Sequence, residues 1–162
     1  MYALKFINTA WVFTFLGFLT VLSLGYASIP EQVAFHTDAQ GAPDQFVARE
    51  TFFYLALGIF AIVNIICFVF FRLLRDISPA SPVFYRSELF KERISAWFSS
   101  FITTINVFLI CMVGYIALFN TQGDYHISQF NWIVFVGPIL FLVVAVWFLI
   151  LLLSPKPIST EA

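Results

Sequence analysis

The sequence predicts an all-α membrane protein of four transmembrane helices, with both termini cytoplasmic and an ordered outer loop between helices 1 and 2. Three observations carry this. The chain has 162 residues, of which 61% are hydrophobic and 10% charged, against about 25% charged in soluble domains; its mean hydropathy is +0.94. Four runs, about 6–27, 51–71, 94–119 and 131–153, contain no Asp, Glu, Lys or Arg, and each reaches the roughly 20 helical residues needed to cross a hydrocarbon core of about 30 Å. Seven of the eight positive charges fall on one side if the N-terminus is inside, as the positive-inside rule requires of cytoplasmic loops. Helices are preferred to barrel strands because the runs are apolar throughout, whereas barrel strands alternate apolar and polar residues over about ten positions.

The first span, 6–27, follows Lys5 and ends at Tyr26-Ala27. Gly25 and Ala27 give a small-x-small pattern before Ser28, but the apolar stretch exceeds the 7–15 residues of a signal-peptide core, so it is expected to remain as a helix. The second span, 51–71, leads into the connection 72–93, which holds Arg72, Arg75, Arg86, Lys91 and Arg93. Pro79 and Pro82 break the helix there, and Ser81 before Pro82 fits an N-cap with proline at the first helical position. A helix is expected to restart from Val83, with Phe84, Leu89 and Phe90 at the lipid boundary. That segment reads either as a membrane-surface elbow or as a docking helix for a cytoplasmic partner.

In the third span, 94–119, Trp97 fits an inner aromatic belt, and Trp132 at the start of the fourth fits an outer one. Gly137-Pro138 in the fourth span is expected to free a carbonyl near Val134 and kink the helix. Gly114 and Gly58 are positions where a neighbouring helix can approach closely. The 22 phenylalanines read as lipid-facing and interhelical bulk. Everything outside the spans amounts to tails and three connections, so residues 1–162 form a single integral membrane domain.

Composition also excludes functions. No basic face is available for nucleic acid, since Lys and Arg cluster at helix ends. The spans contain no ionisable group of the kind that ion or proton transport uses; Asn8, Asn64 and Asn106 read instead as interhelical hydrogen-bonding groups. Both histidines lie in the outer loops, so no buried haem is expected. No nucleophile elbow, zinc-helix motif or phosphate-binding glycine loop occurs, and the reading is non-enzymatic. Cys67 and Cys111 behave as small apolar residues within spans.

Residues 28–50, SIPEQVAFHTDAQGAPDQFVARE, form the longest polar run. Asp38 to Gly41 suits a turn with Asp accepting backbone hydrogen bonds and glycine supplying positive φ, and Ala42-Pro43-Asp44 suits a second bend. Phe35 and Phe46 are expected to cover these turns against the bilayer surface. His36 and Asp38, with Asp124 and His126 from the other outer loop (120–130), offer the donors of a two-His, two-Asp Zn²⁺ site; the same groups equally suit hydrogen bonding within the turns.

The pattern Pro30-Glu31, Val33, His36, Asp38, Gly41 and Pro43-Asp44, or P-E-x-V-x-x-H-x-D-x-x-G-x-P-D, resembles the signature of an uncharacterised bacterial membrane domain. That domain also occurs at the N-terminus of Sdp-type immunity proteins, which protect cells from a secreted peptide toxin and act in signalling. The likeness covers about residues 10–70; Ala34 stands where the family has proline and Thr37 where it has an aromatic residue. It implies a bacterial inner-membrane protein whose loop residues Glu31, His36, Asp38, Gly41, Pro43 and Asp44 meet a partner or ligand. Two functions follow from the chain: an accessory or structural subunit of a larger inner-membrane complex, and an immunity-like sensor of an extracytoplasmic peptide.

Overall fold

The computed structural model describes residues 2–38, 43–78, 80–81, 87–121 and 130–154, with the backbone alone for residues 2–8 and 37. Helix α1 is Tyr2–Ser28, strands β1 and β2 are Gln32–Thr37 and Pro43–Ala48, and helices α2, α3 and α4 are Arg49–Asp76, Glu88–Asn120 and Ile133–Leu153. All four helices contain a stretch long and apolar enough to cross a membrane.

The helices overrun the apolar runs because polar residues continue them. α2 extends through Arg72, Arg75 and Asp76, and α3 begins six residues before Ile94. Its 33 residues correspond to about 50 Å, longer than the hydrocarbon core alone. Ser87 caps α3, its side chain accepting from the Phe90 amide at 3.2 Å, which satisfies one of the orphan donors of the first turn. This differs from the expected cap at Ser81, which lies in a turn with its amide bonded to the Ser78 carbonyl. The expected restart at Val83 and the prolines Pro79 and Pro82 lie outside the described residues. At the other side of this connection Lys91 Nζ donates to the carbonyls of Arg75 at 2.7 Å and Ile77 at 2.6 Å, closing the C-terminus of α2 onto the start of α3.

α3 is the central element, packing extensively on α1 and α4 and to a lesser degree on α2. The α1–α3 contact is close because small residues line it: a Cβ added to Gly25 would come within 3.3 Å of the Ala117 Cβ. Phe18 of α1 stacks on Phe60 of α2 with centroids 3.9 Å apart and planes 5° from parallel, and with Leu22 and Val113 they form the buried centre of the bundle. α4 runs unbroken through Pro138. It is held by an aromatic seam against α3 in which Phe108 covers Gly137 so closely that any Cβ there would overlap its ring. The expected close approaches at Gly58 and Gly114 are corrected. Nothing lies within 4 Å of a Cβ at Gly58, on the outer side of α2, and Val21 stands at an ordinary 3.7 Å from one at Gly114.

The connection between α1 and α2 is more ordered than a pair of turns. β1 and β2 form a two-stranded antiparallel sheet, pairing Gln32 with Ala48, Val33 with Val47 and Ala34 with Phe46, with irregularities around His36. The all-α expectation therefore holds for the bundle and gives way at this connection. Alternating Val33, Phe35 and Val47 supply a face that packs on helix ends, which is what a half-buried strand needs.

Candidate functional site

A side chain at the end of α3 clamps the hairpin to the bundle. Asn120, the last residue of α3, accepts the Ala34 amide at 2.6 Å and donates to the Ala34 carbonyl at 2.8 Å, while also donating to Ile116 O at 2.9 Å. Its amide thus imitates a peptide unit of a third strand beside β1. Because both backbone groups of Ala34 point to Asn120, they point away from β2, so Ala34 and Phe46 form a non-hydrogen-bonded pair. The alternation then makes Glu31 opposite Arg49 a hydrogen-bonded position, and the Arg49 amide does donate to the Glu31 carbonyl at 2.9 Å. By the same alternation the backbone of Phe46 faces the open edge of β2. Pro43, Asp44 and the irregular pairing beside them shorten that edge, which limits strand addition.

Below the sheet, Ile29, Val33 and Ala117 are buried together, with Val47, Phe52 and Ile116 against them. The sheet thus roofs the helix ends and closes a groove of roughly 320 Å³ between α2 and α3, lined by Phe18, Phe35, Val47, Phe52, Leu109 and Met112 among others. Phe46, on the opposite face with Ala34, is 55% exposed, and Phe35, although it lines the groove, remains 53% exposed.

The predicted loop residues fall within this hairpin in different roles. His36 Nδ1 lies 2.7 Å from Asp44 Oδ1, both side chains being substantially exposed, so the pair can form or open at little cost. Glu31 is exposed on the bend before β1, and Pro43 is the exposed first residue of β2. Asp38 lies immediately after β1 and has a polar or electrostatic partner of its own. Gly41, Asp124 and His126 lie outside the described residues. Among the described residues no group of three or more His, Cys, Asp and Glu gathers at metal-binding distance. Arg49 lies over the Tyr26 ring, 4.9 Å from its centroid, with its Nε buried and without a hydrogen-bond partner among the described residues.

Inside the bundle, Asn64 and Asn106 meet. Asn64 Nδ2 donates to Asn106 Oδ1 at 2.9 Å and Asn106 Nδ2 to Asn64 Oδ1 at 3.2 Å. Asn64 Nδ2 also reaches the Phe60 carbonyl at 3.0 Å, and Asn64 Oδ1 accepts Trp11 Nε1 at 3.1 Å. One polar knot joins α1, α2 and α3, with Asn106 at 0% exposure. The side chain of Asn8 lies outside those described. Trp97 gives its indole N–H to the Val144 carbonyl of α4 at 2.9 Å.

Sequence reasoning missed Asn120, Trp11 and Trp97 as structural anchors. Asn120 carried a signal only as a polar residue at the end of a span, where a helix cap is the simpler reading; its partner lies 86 residues away. Compared with known proteins, the chain matches no family model, no curated protein and no solved structure.

Proposed function

We propose that this chain is a non-enzymatic accessory subunit of a larger membrane complex, and that its hairpin and outer helix faces are the surfaces that meet partners. The observation carrying this is the Asn120 clamp: a small extramembrane element is held in a fixed pose on the bundle while Phe46, and Phe35 at the mouth of the groove, stay more than half exposed. Rigid presentation of exposed aromatic groups suits protein contact, since less ordering entropy is lost on binding. The buried asparagines of the bundle, Asn64 and Asn106, are engaged with each other, which supports cohesion of helices over passage of a solute. The charge bias supports an orientation with the hairpin outside a bacterial inner membrane and both termini in the cytoplasm.

A second reading, an immunity-like sensor of an extracytoplasmic peptide, is favoured by the placement of the motif residues His36 and Asp44 as an exposed pair on that same hairpin. Mild-detergent extraction, native electrophoresis and mass spectrometry test the first reading. A stoichiometric complex, lost when Phe35 and Phe46 are replaced by serine, is expected; a lone chain would overturn it. The second reading expects deletion to sensitise cells to a secreted peptide, and unchanged growth under such challenge would set it aside.

A further inference from the structure

The basic residues at the α2–α3 connection are not equivalent. Arg72 and Arg75 lie over Phe68 and Phe71 of their own helix, 5.7 and 5.8 Å from the ring centroids, and Lys91 is bonded to the end of α2. Arg93 is exposed and makes no hydrogen bond, ion pair or ring contact with the described residues. Glu92 beside it points about 100° round the helix axis. Among the described residues Arg93 therefore has no partner for its fork-shaped set of donors, which is of the kind that fits phosphate.

One turn deeper into the span, on the same face of α3, stands Trp97. It forms one wall of a groove of roughly 390 Å³ between α3 and α4, lined by Trp97, Phe101, Phe141, Val144, Ala145 and Phe148 among others. Trp97 lies 4.4 Å from Phe148 and 5.6 Å from Phe101 between ring centroids, and its hydrogen bond to Val144 fixes the wall in place. The groove is large enough for a small ligand segment, in the range of about 300–1,000 Å³, and its lining is carbon. Since both walls belong to helices apolar enough to span a membrane, the medium facing the groove is lipid. Helical side chains lean toward the N-terminus, so Arg93 is carried away from the groove toward the polar end of the bundle. A hydrocarbon slot with a free guanidinium about 6 Å further along the helix axis has the polarity of an anionic amphiphile.

We propose that the α3–α4 groove holds one acyl chain of an anionic phospholipid whose phosphate is bound by Arg93. The lipid covers the aromatic seam and ties α4 to α3. Native mass spectrometry of the purified protein, titrated separately with phosphatidylglycerol and phosphatidylcholine, tests this. One phosphatidylglycerol is expected to be retained in preference to phosphatidylcholine. Arg93→Gln should weaken phosphatidylglycerol retention about fivefold and leave phosphatidylcholine unchanged, whereas Arg93→Lys should keep most of the preference. Ala145→Trp, which fills the slot, should lower retention of both lipids, with the far-UV circular dichroism of each variant confirming an intact bundle. Equal retention of the two lipids by the wild type, or retention indifferent to Arg93→Gln, would overturn the proposal. So would a photoreactive side chain at position 145 that cross-links in native membranes to polypeptide instead of lipid.

Discussion

The knot of Asn64, Asn106 and Trp11 makes a quantitative prediction because its members are unequally connected. Asn64 takes part in four hydrogen bonds and Asn106 in two, both shared with Asn64. Asn106→Leu therefore removes two bonds but leaves Asn64 with Trp11 on its oxygen and Phe60 on its nitrogen. At about 0.6 kcal/mol per interhelical bond, the loss is about 1 kcal/mol. Asn64→Leu strands both the Trp11 N–H and the whole Asn106 amide, the latter at 0% exposure. With roughly 1–3 kcal/mol for each unpaired buried group, the cost rises to about 3–4 kcal/mol. The double variant leaves only Trp11 without a partner and should be more stable than Asn64→Leu alone by about 1–2 kcal/mol. Equilibrium unfolding in mixed micelles, followed by circular dichroism, measures all three values. If Asn64→Leu proves no worse than Asn106→Leu, or if the double variant is the least stable, the asymmetry of the knot is not what sets its energetics.

Asn120→Ala should leave the bundle folded while releasing the hairpin, because the buried amide and carbonyl of Ala34 lose their partner together. A local loss of about 2 kcal/mol corresponds to roughly 30-fold faster hydrogen exchange across residues 31–48, read by mass spectrometry. Gly137→Ala should destabilise by about 1–3 kcal/mol through overlap with the Phe108 ring, and Phe108→Leu in the same chain should recover much of that loss in a thermal unfolding assay. Asp44→Asn removes the exposed pair with His36 and should change stability by less than about 0.5 kcal/mol; a larger thermal shift would make that pair structural.

The spans were legible because a continuous run without charge has one stable solution in lipid, a helix with its backbone bonds satisfied internally. Their ends were less so. Arg72, Arg75 and Asp76, and Glu88 to Arg93 at the other side, prolong α2 and α3 past the apolar runs, since long polar side chains tolerate the interface while the backbone stays helical. The hairpin had a readable signal that the two turns obscured: six-residue segments rich in Val and Phe on either side of Asp38 to Ala42. Asn64 and Asn106 were readable as interhelical groups from their chemistry, whereas Trp11 as their third member was not. Neither was the Ala34–Asn120 clamp, because no periodicity within either segment encodes a contact made across the whole length of α2 and α3. The same reason hid the bond from Trp97 to the Val144 carbonyl of the neighbouring helix.

The central position of α3 bears on how the chain is made. α1 and α2 are consecutive in synthesis, yet α1 has its most extensive packing with α3. The glycine-lined face of α1 therefore stays exposed to lipid until β1, β2 and α2 have been completed and α3 has entered the membrane, whereas the indole N–H of Trp11 waits only for Asn64 of α2. During that interval the first half of the molecule is an unfinished surface, dependent on the insertion machinery or neighbouring chains for cover, and truncation anywhere before Asn120 would leave it permanently in that state.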